Sequence, residues 1–329
     1  MKKFMNSVET MLHESLAGFA HCHRDIVTLD SDYRFVRRVE KKSGKVALIS
    51  GGGSGHEPLH AGFVGYGMLD AACPGQVFTS PTPDQMIAAA EAVDGGAGVL
   101  FIVKNYAGDV MNFSLAAEML ANVETVITDD DVAVERSTHS MSRRGVAGTL
   151  VVEKVLGAAA ERGDLLAALR DLGTRVNSVT RSMGVALSSC TVPAVGTPTF
   201  QIGDSEMEMG VGIHGEPGRR RVSPVMSADA IAEAIIRAIV EDIGAQSERE
   251  VLLLVNGFGG TPSFELYLMY DAARRQCAKH GLQISRSVVG NYVTSLDMAG
   301  CSITVTLLDR ETTTLWDAPV HTAAMRHGM

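Results

Sequence analysis

The segment KVALISGGGSGHEP, residues 45–58, carries the first residues that are suited to chemistry. Four glycines within five residues follow a short apolar run, and open backbone N–H groups in such a loop can hold phosphate or sugar oxygens. His56 follows them, and a neutral imidazole can accept a proton near neutral pH. The loop lacks the Gly-Lys-Ser/Thr of a P-loop, and position 56 is not the glycine of a GxGxxG motif. We therefore predict a ligand-binding loop rather than a purely structural turn.

Two features raise the question of a metal site. HEPLH, residues 56–60, has the spacing of the HExxH zinc motif, but Pro58 disfavours the regular helix which that motif needs. No third ligand is evident, so we give His60 a lesser role than His56. The acidic run at 129–131 offers carboxylates to a hard cation, but such runs also occur at strand ends and helix caps. We predict no metal site.

Two later segments place ionisable side chains directly after apolar runs. IVKNYAGD delivers Lys104, which can hold an anionic or hydroxyl oxygen, and Asp109, which can accept a hydroxyl proton. GVGIHGEPG places His214 between glycines, and a neutral imidazole nitrogen can add to a carbonyl carbon. The neighbourhoods HEP at 56–58 and HGEP at 214–217 are alike. We expect His214 to lie near the turn at residues 51–56.

An α/β fold must position these segments. Apolar runs at 46–50, 98–103 and 124–128 alternate with helical patterns, which indicates a mainly parallel sheet flanked by helices. Apolar residues from Phe4 to Phe19 recur at helical spacing, so we expect a helix to open the chain. At 329 residues, two α/β domains are expected. Residues 1–183 contain the glycine-rich loop, and residues 184–329 form a smaller domain with a mixed sheet that carries His214.

Composition and charge narrow the class of partner and the compartment. The 29 basic and 38 acidic residues give a net charge of −9, which argues against nucleic acid and anionic membranes as main partners. Five cysteines are scattered without a CxxC pair, which is typical of reduced thiols in a cytoplasm. The sequence shows neither a signal-peptide pattern nor an apolar run near the ~18 residues of a membrane helix. We therefore predict a cytoplasmic protein.

Several motifs together resemble one known family. They are GKVALISGGGSGHEPLHAGF, VKNYAGDVMNF, RRGVAGTLVVEKVLGAAAERG, MEMGVGIHGEPG and SLDMAGCSITV, and they follow one another over nearly the whole chain. The sequence resembles the dihydroxyacetone kinase family, and most of all the substrate-binding K subunits of its bacterial, phosphoenolpyruvate-dependent phosphotransferase type. The resemblance implies a kinase for dihydroxyacetone (glycerone) that acts in glycerol metabolism.

The same resemblance implies roles for individual residues. Dihydroxyacetone is expected to form a hemiaminal on His214, with His56 as proton acceptor and Asp109 as the third catalytic residue. The implied substrate-binding positions are Gly53, Ser54, Gly55, His56, Ser80, Lys104, Asp109 and His214. How proton removal is divided between His56 and Asp109 stays open.

Expected partners also follow from the resemblance. No cofactor is expected in this chain, because ADP or ATP with Mg²⁺ belongs to a separate L-type subunit that an M-type phosphotransferase protein recharges. The chain is expected to form a homodimer. Two alternatives stay open: a non-catalytic, ligand-sensing coregulator, and a kinase subunit for a related ketose such as erythrulose. The family usually has a longer segment where this chain has residues 219–250, which leaves partner docking and the preferred ketose open.

Overall fold

The computed structural model describes residues 2–134, 143–216, 218–244 and 249–329. Within these residues the strands form two six-stranded sheets and one three-stranded sheet. In chain order the strands are β1 Val27–Leu29, β2 Val36–Arg38, β3 Ala47–Ser54, β4 Gly65–Tyr66, β5 Ala71–Val77, β6 Val99–Lys104, β7 Val123–Thr128, β8 Thr180–Ala186, β9 Met207–Met209, β10 Arg220–Val222, β11 Glu250–Gly257, β12 Gln283–Gly290, β13 Gly300–Leu307, β14 Val320–Thr322 and β15 Arg326–His327. The helices are α1 Met11–Cys22, α2 Pro83–Val93, α3 Ala107–Met119, α4 Gly148–Arg162, α5 Leu166–Ser178, α6 Ala228–Ile243, α7 Ser263–Lys279 and α8 Arg310–Asp317.

The first sheet has the strand order β1-β2-β5-β3-β6-β7. Strands β5, β3, β6 and β7 are parallel, and β2 and β1 extend the sheet in antiparallel fashion. Every residue of β3 and β6 is buried, as expected for strands that are covered on both faces. The carboxyl ends of β3 and β6 meet at one edge of the sheet, which is where ligands bind in many α/β folds.

The second sheet has the order β10-β9-β8-β13-β11-β12, and among its described strands β11 with β12 is the one parallel pair. The small third sheet joins β14 and β15 near the end of the chain to β4 in the first half. The predicted fold class, an α/β unit with a mainly parallel sheet followed by an α/β unit with a mixed sheet, is therefore confirmed.

Helix α4 lies between the two six-stranded sheets. Thirteen of its fifteen residues are buried, which is typical of a helix enclosed on all sides. One apolar core joins Leu48 of β3, Leu150 of α4 and Leu254 of β11. No helix in the described parts of the chain is long and apolar enough to cross a membrane.

Two expectations about boundaries differ from the structure. The first helix begins at Met11, and the prediction that it starts near Phe4 is wrong, since the Phe4 side chain is fully exposed and has no core to pack against. The predicted boundary between residues 183 and 184 falls inside β8, which pairs along its whole length with β13. The second sheet thus begins at Thr180, the first residue of β8. The division into domains 1–183 and 184–329 stays a prediction.

Candidate active site

The glycines of the predicted loop lie mostly within β3, which continues to Ser54. The expectation that the strand ends at residue 50 is wrong, since residues 51–53 pair with residues 73–75 of β5. The missing side chains make room for neighbours. A Cβ atom on Gly52 would lie 2.2 Å from Nζ of Lys104 and would displace it. The glycines therefore let ionisable side chains approach the strand backbone closely.

Two histidines meet just beyond the end of β3. His56 Nδ1 lies 2.7 Å from the carbonyl oxygen of Thr294, and because a carbonyl can only accept, this nitrogen carries a proton. His214 Nδ1 lies 2.8 Å from Oε1 of Glu216. The two Nε2 atoms lie 3.1 Å apart, which requires one proton between them. The expected proximity of His214 to the 51–56 turn is met, and the two Nε2 atoms share one proton and one reactive lone pair.

The surroundings of the pair set its charges. Burial, and then the charges of His214 and Lys104, hold the pKa of His56 well below its usual value, although the hydrogen bond to Thr294 acts in the opposite sense. Burial opposes ionisation of Glu216, but its hydrogen bond to His214 and the charges of His214 and Arg144 lower its pKa to about 2. Glu216 is thus a carboxylate that accepts the Nδ1 proton of His214, and His56 gives up a proton readily.

Aromatic rings fix both imidazoles. Phe78 stacks on His56 at a centroid distance of 5.0 Å and meets His214 edge-on at 5.1 Å. Tyr106 meets His214 edge-on from another direction, at 4.6 Å. Gly55 has a φ of +101°, and a Cβ atom there would lie 2.8 Å from the Phe78 ring, so the turn tolerates no side chain at this position. The rings are therefore held in one orientation before any ligand arrives.

Lys104 and Asp109 lie beside Gly52, at the end of β6 and in the first turn of α3. Lys104 Nζ donates to the carbonyl oxygen of Gly51 at 3.1 Å and lies 3.0 Å from Nε2 of His60 and 3.4 Å from Oδ2 of Asp109. Oδ1 of Asp109 is buried and has no hydrogen-bond partner among the described residues. An open carboxylate oxygen at this depth is available to a hydroxyl group of a ligand.

The other predicted substrate positions surround these groups. Ser54 Oγ donates to a carbonyl of β5 at 2.7 Å, so its hydroxyl is already used within the strand pair. A Cβ atom on Gly53 would lie 2.6 Å from the backbone nitrogen of Thr79. Ser80 approaches the first turn of α3, where its Oγ would lie 2.7 Å from a Cβ atom on Gly108. Gly53 and Ser80 therefore pack against neighbouring segments, and their contact with a substrate stays a prediction.

The acidic run at 129–131 has structural partners. The carboxylate of Asp130 accepts the backbone N–H groups of Val146 and Gly148 at the start of α4, as a helix cap does. Asp131 forms a buried ion pair with Arg144. These contacts follow the alternative that the sequence left open, a helix cap at a strand end. Pro217, the last residue of the HGEP neighbourhood, lies outside the described residues.

Sequence reasoning did not anticipate several neighbours of the site. Thr294, which orients His56, comes from a loop more than 200 residues away, and no local pattern marks it. Glu153 lies 2.6 Å from Nδ1 of His60 and is fully buried in the mainly apolar middle of helix α4. A carboxylate within such a helix is a signal that the sequence does offer, because buried charges need partners.

Comparisons with known proteins agree with the motifs. The model of the Dak1 domain matches residues 17–324. The dihydroxyacetone-binding subunit of the PEP-dependent dihydroxyacetone kinase of Escherichia coli is 47% identical over all of this chain and all of its own. An L-erythrulose kinase of Pectobacterium atrosepticum is 38% identical over all of this chain and 57% of its own.

Two solved structures share the fold. The dihydroxyacetone kinase of C. freundii superposes with a TM-score of 0.88 at 34% identity, covering 99% of this chain and 60% of its own. A dihydroxyacetone kinase operon co-activator superposes with a TM-score of 0.90 at 31% identity, covering 95% of this chain and 98% of its own. From the matched domain and the full-length identity, the chain belongs to the Dak1 family of dihydroxyacetone kinases and their relatives.

Proposed function

We propose that this protein is the substrate-binding, catalytic subunit of a dihydroxyacetone kinase, which binds dihydroxyacetone as a hemiaminal on His214. The observation that carries the proposal is the 3.1 Å approach of the Nε2 atoms of His214 and His56, each with its Nδ1 already engaged. Two imidazoles so arranged supply a nucleophile and an acid to the same carbonyl group. The family and the relatives named above support the choice of substrate.

The addition step balances in protons and electrons. His56 takes the shared proton on Nε2, and the lone pair of His214 Nε2 forms a bond to the carbonyl carbon while the C=O π bond breaks. His56 then gives its proton to the new alkoxide oxygen. The adduct on His214 carries a positive charge, which Glu216 balances through the Nδ1 hydrogen bond of 2.8 Å. His56 is left neutral with a free lone pair.

That free lone pair serves the transfer step. When a terminal hydroxyl of the bound ketose attacks a phosphoryl group, its proton needs an acceptor. Neutral His56 and the open Oδ1 of Asp109 are the two candidates on the site wall. Lys104 holds the other oxygen of Asp109 and keeps that carboxylate in place.

A covalent anchor suits so small a substrate. Non-covalent ligands gain at most about 1.5 kcal/mol per non-hydrogen atom, and dihydroxyacetone has few atoms with which to bind. A reversible bond to His214 fixes the molecule and directs its hydroxyl, and orientation is a major part of phosphoryl-transfer catalysis. It also explains selectivity, since glycerol has no carbonyl group and cannot form the adduct.

The phosphoryl donor belongs to a partner in this proposal. We propose that an L-type subunit brings ADP or ATP with Mg²⁺, that an M-type phosphotransferase protein recharges it, and that this chain acts as a homodimer. That this chain itself holds no cofactor and acts in the cytoplasm remain predictions from the sequence. The Escherichia coli relative, named as the dihydroxyacetone-binding subunit of a PEP-dependent kinase, supports a partner-dependent transfer.

The experiment uses dihydroxyacetone labelled with ¹³C at its carbonyl carbon. We expect a protein-bound tetrahedral carbon signal with the wild type and with the control His280→Ala, whose histidine is exposed at the end of α7. His214→Ala is expected to lose this signal. A carbonyl signal that stays unchanged at saturating dihydroxyacetone would contradict the proposal.

A ligand-sensing coregulator is the second candidate, because the co-activator shares the fold at 31% identity. A sensor needs His214 as the anchor and His56 for the addition step, but it has no use for a further proton acceptor such as the open Oδ1 of Asp109. Phosphoryl transfer in the presence of an L-type subunit with Mg²⁺-ATP decides between the two. Adduct formation without any transfer would identify a sensor, and competition between ketoses in the same assay ranks erythrulose against dihydroxyacetone.

A further inference from the structure

A chain of buried polar side chains leads from the site into the protein interior. It runs from Oδ2 of Asp109 to Nζ of Lys104 at 3.4 Å, then to Nε2 of His60 at 3.0 Å, and from Nδ1 of His60 to Oε1 of Glu153 at 2.6 Å. All four residues are at most 6% exposed. The addition and transfer steps described above make no use of His60 or Glu153, although each is costly to bury.

The hydrogen bonds of Lys104 determine which ring nitrogen of His60 carries the proton. An ammonium group has three N–H donors, and three acceptors surround it: the Gly51 carbonyl oxygen, Nε2 of His60 and Oδ2 of Asp109. Nε2 of His60 can accept only if the ring proton is on Nδ1. Oε1 of Glu153 accepts that Nδ1 proton, so the glutamate selects the tautomer which lets His60 hold the lysine.

We infer that His60 and Glu153 are positioning residues, which hold the ammonium of Lys104 against Oδ2 of Asp109 and so leave Oδ1 of Asp109 free for the substrate hydroxyl. This inference rests on the proposed function. The position of Lys104 beside Asp109 is then held by the hydrogen bonds of His60, which connect β6 through the 56–60 turn to Glu153 of α4. Such layers commonly orient the groups that touch a substrate.

The surroundings of these four side chains agree with a His60 ring that is neutral and protonated on Nδ1. Burial, followed by the charges of Lys104 and His56, holds the pKa of His60 well below its usual value, so the ring is neutral. Burial raises the pKa of Glu153 to about 8, against the opposing effects of Lys104 and Ser50. Oε2 of Glu153 has no hydrogen-bond partner in the described part of the chain. Oε1 therefore accepts from His60 whether the carboxyl group is ionised or carries its proton on Oε2.

A matched pair of substitutions tests the inference. Gln at position 60 can place an amide oxygen near the former Nε2 atom and still accept from Lys104, whereas Asn reaches only the Nδ1 position beside Glu153. We expect His60→Asn to lower kcat for phosphoryl transfer, with the L-type subunit and Mg²⁺-ATP, by about 10- to 100-fold, the effect of a lost hydrogen bond to a charged group. His60→Gln should lose several-fold less, and both variants should still form the His214 adduct.

Equal losses in the two variants, or a larger loss in His60→Gln, would overturn the inference. A readout on the wild type needs no substitution: ¹⁵N-histidine NMR should show His60 protonated on Nδ1 and unprotonated on Nε2. The opposite tautomer would also overturn it, whether or not the variants fold. Failure of the proposed function looks different, because the wild type would then form no adduct and transfer no phosphoryl group.

Discussion

The Nε2 atoms of His56 and His214 lie 3.1 Å apart, and both Nδ1 atoms already donate hydrogen bonds. The two rings differ in what they donate to: a neutral carbonyl of Thr294 for one, and the carboxylate of Glu216 for the other. A carboxylate stabilises positive charge on its ring, which makes His214 the better nucleophile and His56 the better acid. The chemical assignment thus depends on Glu216 as much as on the histidines themselves.

Replacing Glu216 by Gln tests this assignment. The amide keeps the size of the side chain but removes its negative charge, so the positively charged adduct on His214 loses the carboxylate that neutralises it. We expect binding of dihydroxyacetone to weaken by about 10- to 100-fold, as for a lost charge-assisted hydrogen bond. Titration of the labelled-carbon signal measures the change. The exposed Glu233→Gln is the control, and unchanged binding in Glu216→Gln would remove the glutamate from the mechanism.

Among the secondary-structure elements, β3 and α4 show what the sequence could and could not predict. Apolar runs predicted the parallel strands, and the carboxyl ends of such strands predicted where His56, Lys104 and Asp109 lie. The course of β3 through residues 51–53 could not be predicted, because glycine is depleted in strands and these glycines are explained only by neighbours from elsewhere in the chain. The link from His60 to Glu153 likewise spans 93 residues and has no local pattern.

Helix α4 carries two glutamates, Glu153 and Glu161, whose contributions to the free energy of unfolding should depend on pH in different ways. Burial raises the pKa of Glu153 from 4.5 to about 8, so between these values only the folded state keeps this proton. The free energy of unfolding of the wild type therefore falls as pH rises from about 4.5 to 8. Glu153→Gln lacks this loss, and we expect its stability relative to wild type to grow by a few kcal/mol from pH 5 to pH 8, measured by chemical denaturation.

Glu161→Gln is the control on the same helix. Although burial opposes it, the hydrogen bond and the charges of Arg38 and Lys45 lower the pKa of Glu161, so its contribution to stability is present above pH 4.5 and lost only below it. We expect the difference between Glu161→Gln and wild type to stay constant from pH 5 to pH 8. A constant difference for Glu153→Gln as well would mean that Glu153 is ionised throughout this range.

The molecule as a whole is organised around one site to which both sheets contribute. His56 follows a strand of the first sheet, whereas His214 and Thr294 come from loops of the second, and α4 lies between the sheets. A ligand that bonds to His214 and touches the groups beside β3 holds these parts together. Its binding free energy should therefore appear in the stability of the whole fold.

Thermal denaturation with and without ketose measures this coupling. At dihydroxyacetone concentrations of 100 times the dissociation constant, linkage predicts a gain of about 2.7 kcal/mol in the free energy of unfolding and a matching rise in Tm. We expect His280→Ala to keep this gain and His214→Ala to lose it. An equal gain in His214→Ala would show that the ketose binds elsewhere.

The pairing of β14, near the end of the chain, with β4 in its first half restricts how the two halves can move. The polypeptide crosses from the first sheet to the second between α5 and β8, and it crosses back before β14 pairs with β4. These two covalent connections, together with the hydrogen bonds between Thr294 and His56, hold one half of the molecule against the other. The parts of the chain that carry His56 and His214 are thus fixed to each other at both ends of the second sheet, which keeps the two imidazoles in one mutual position.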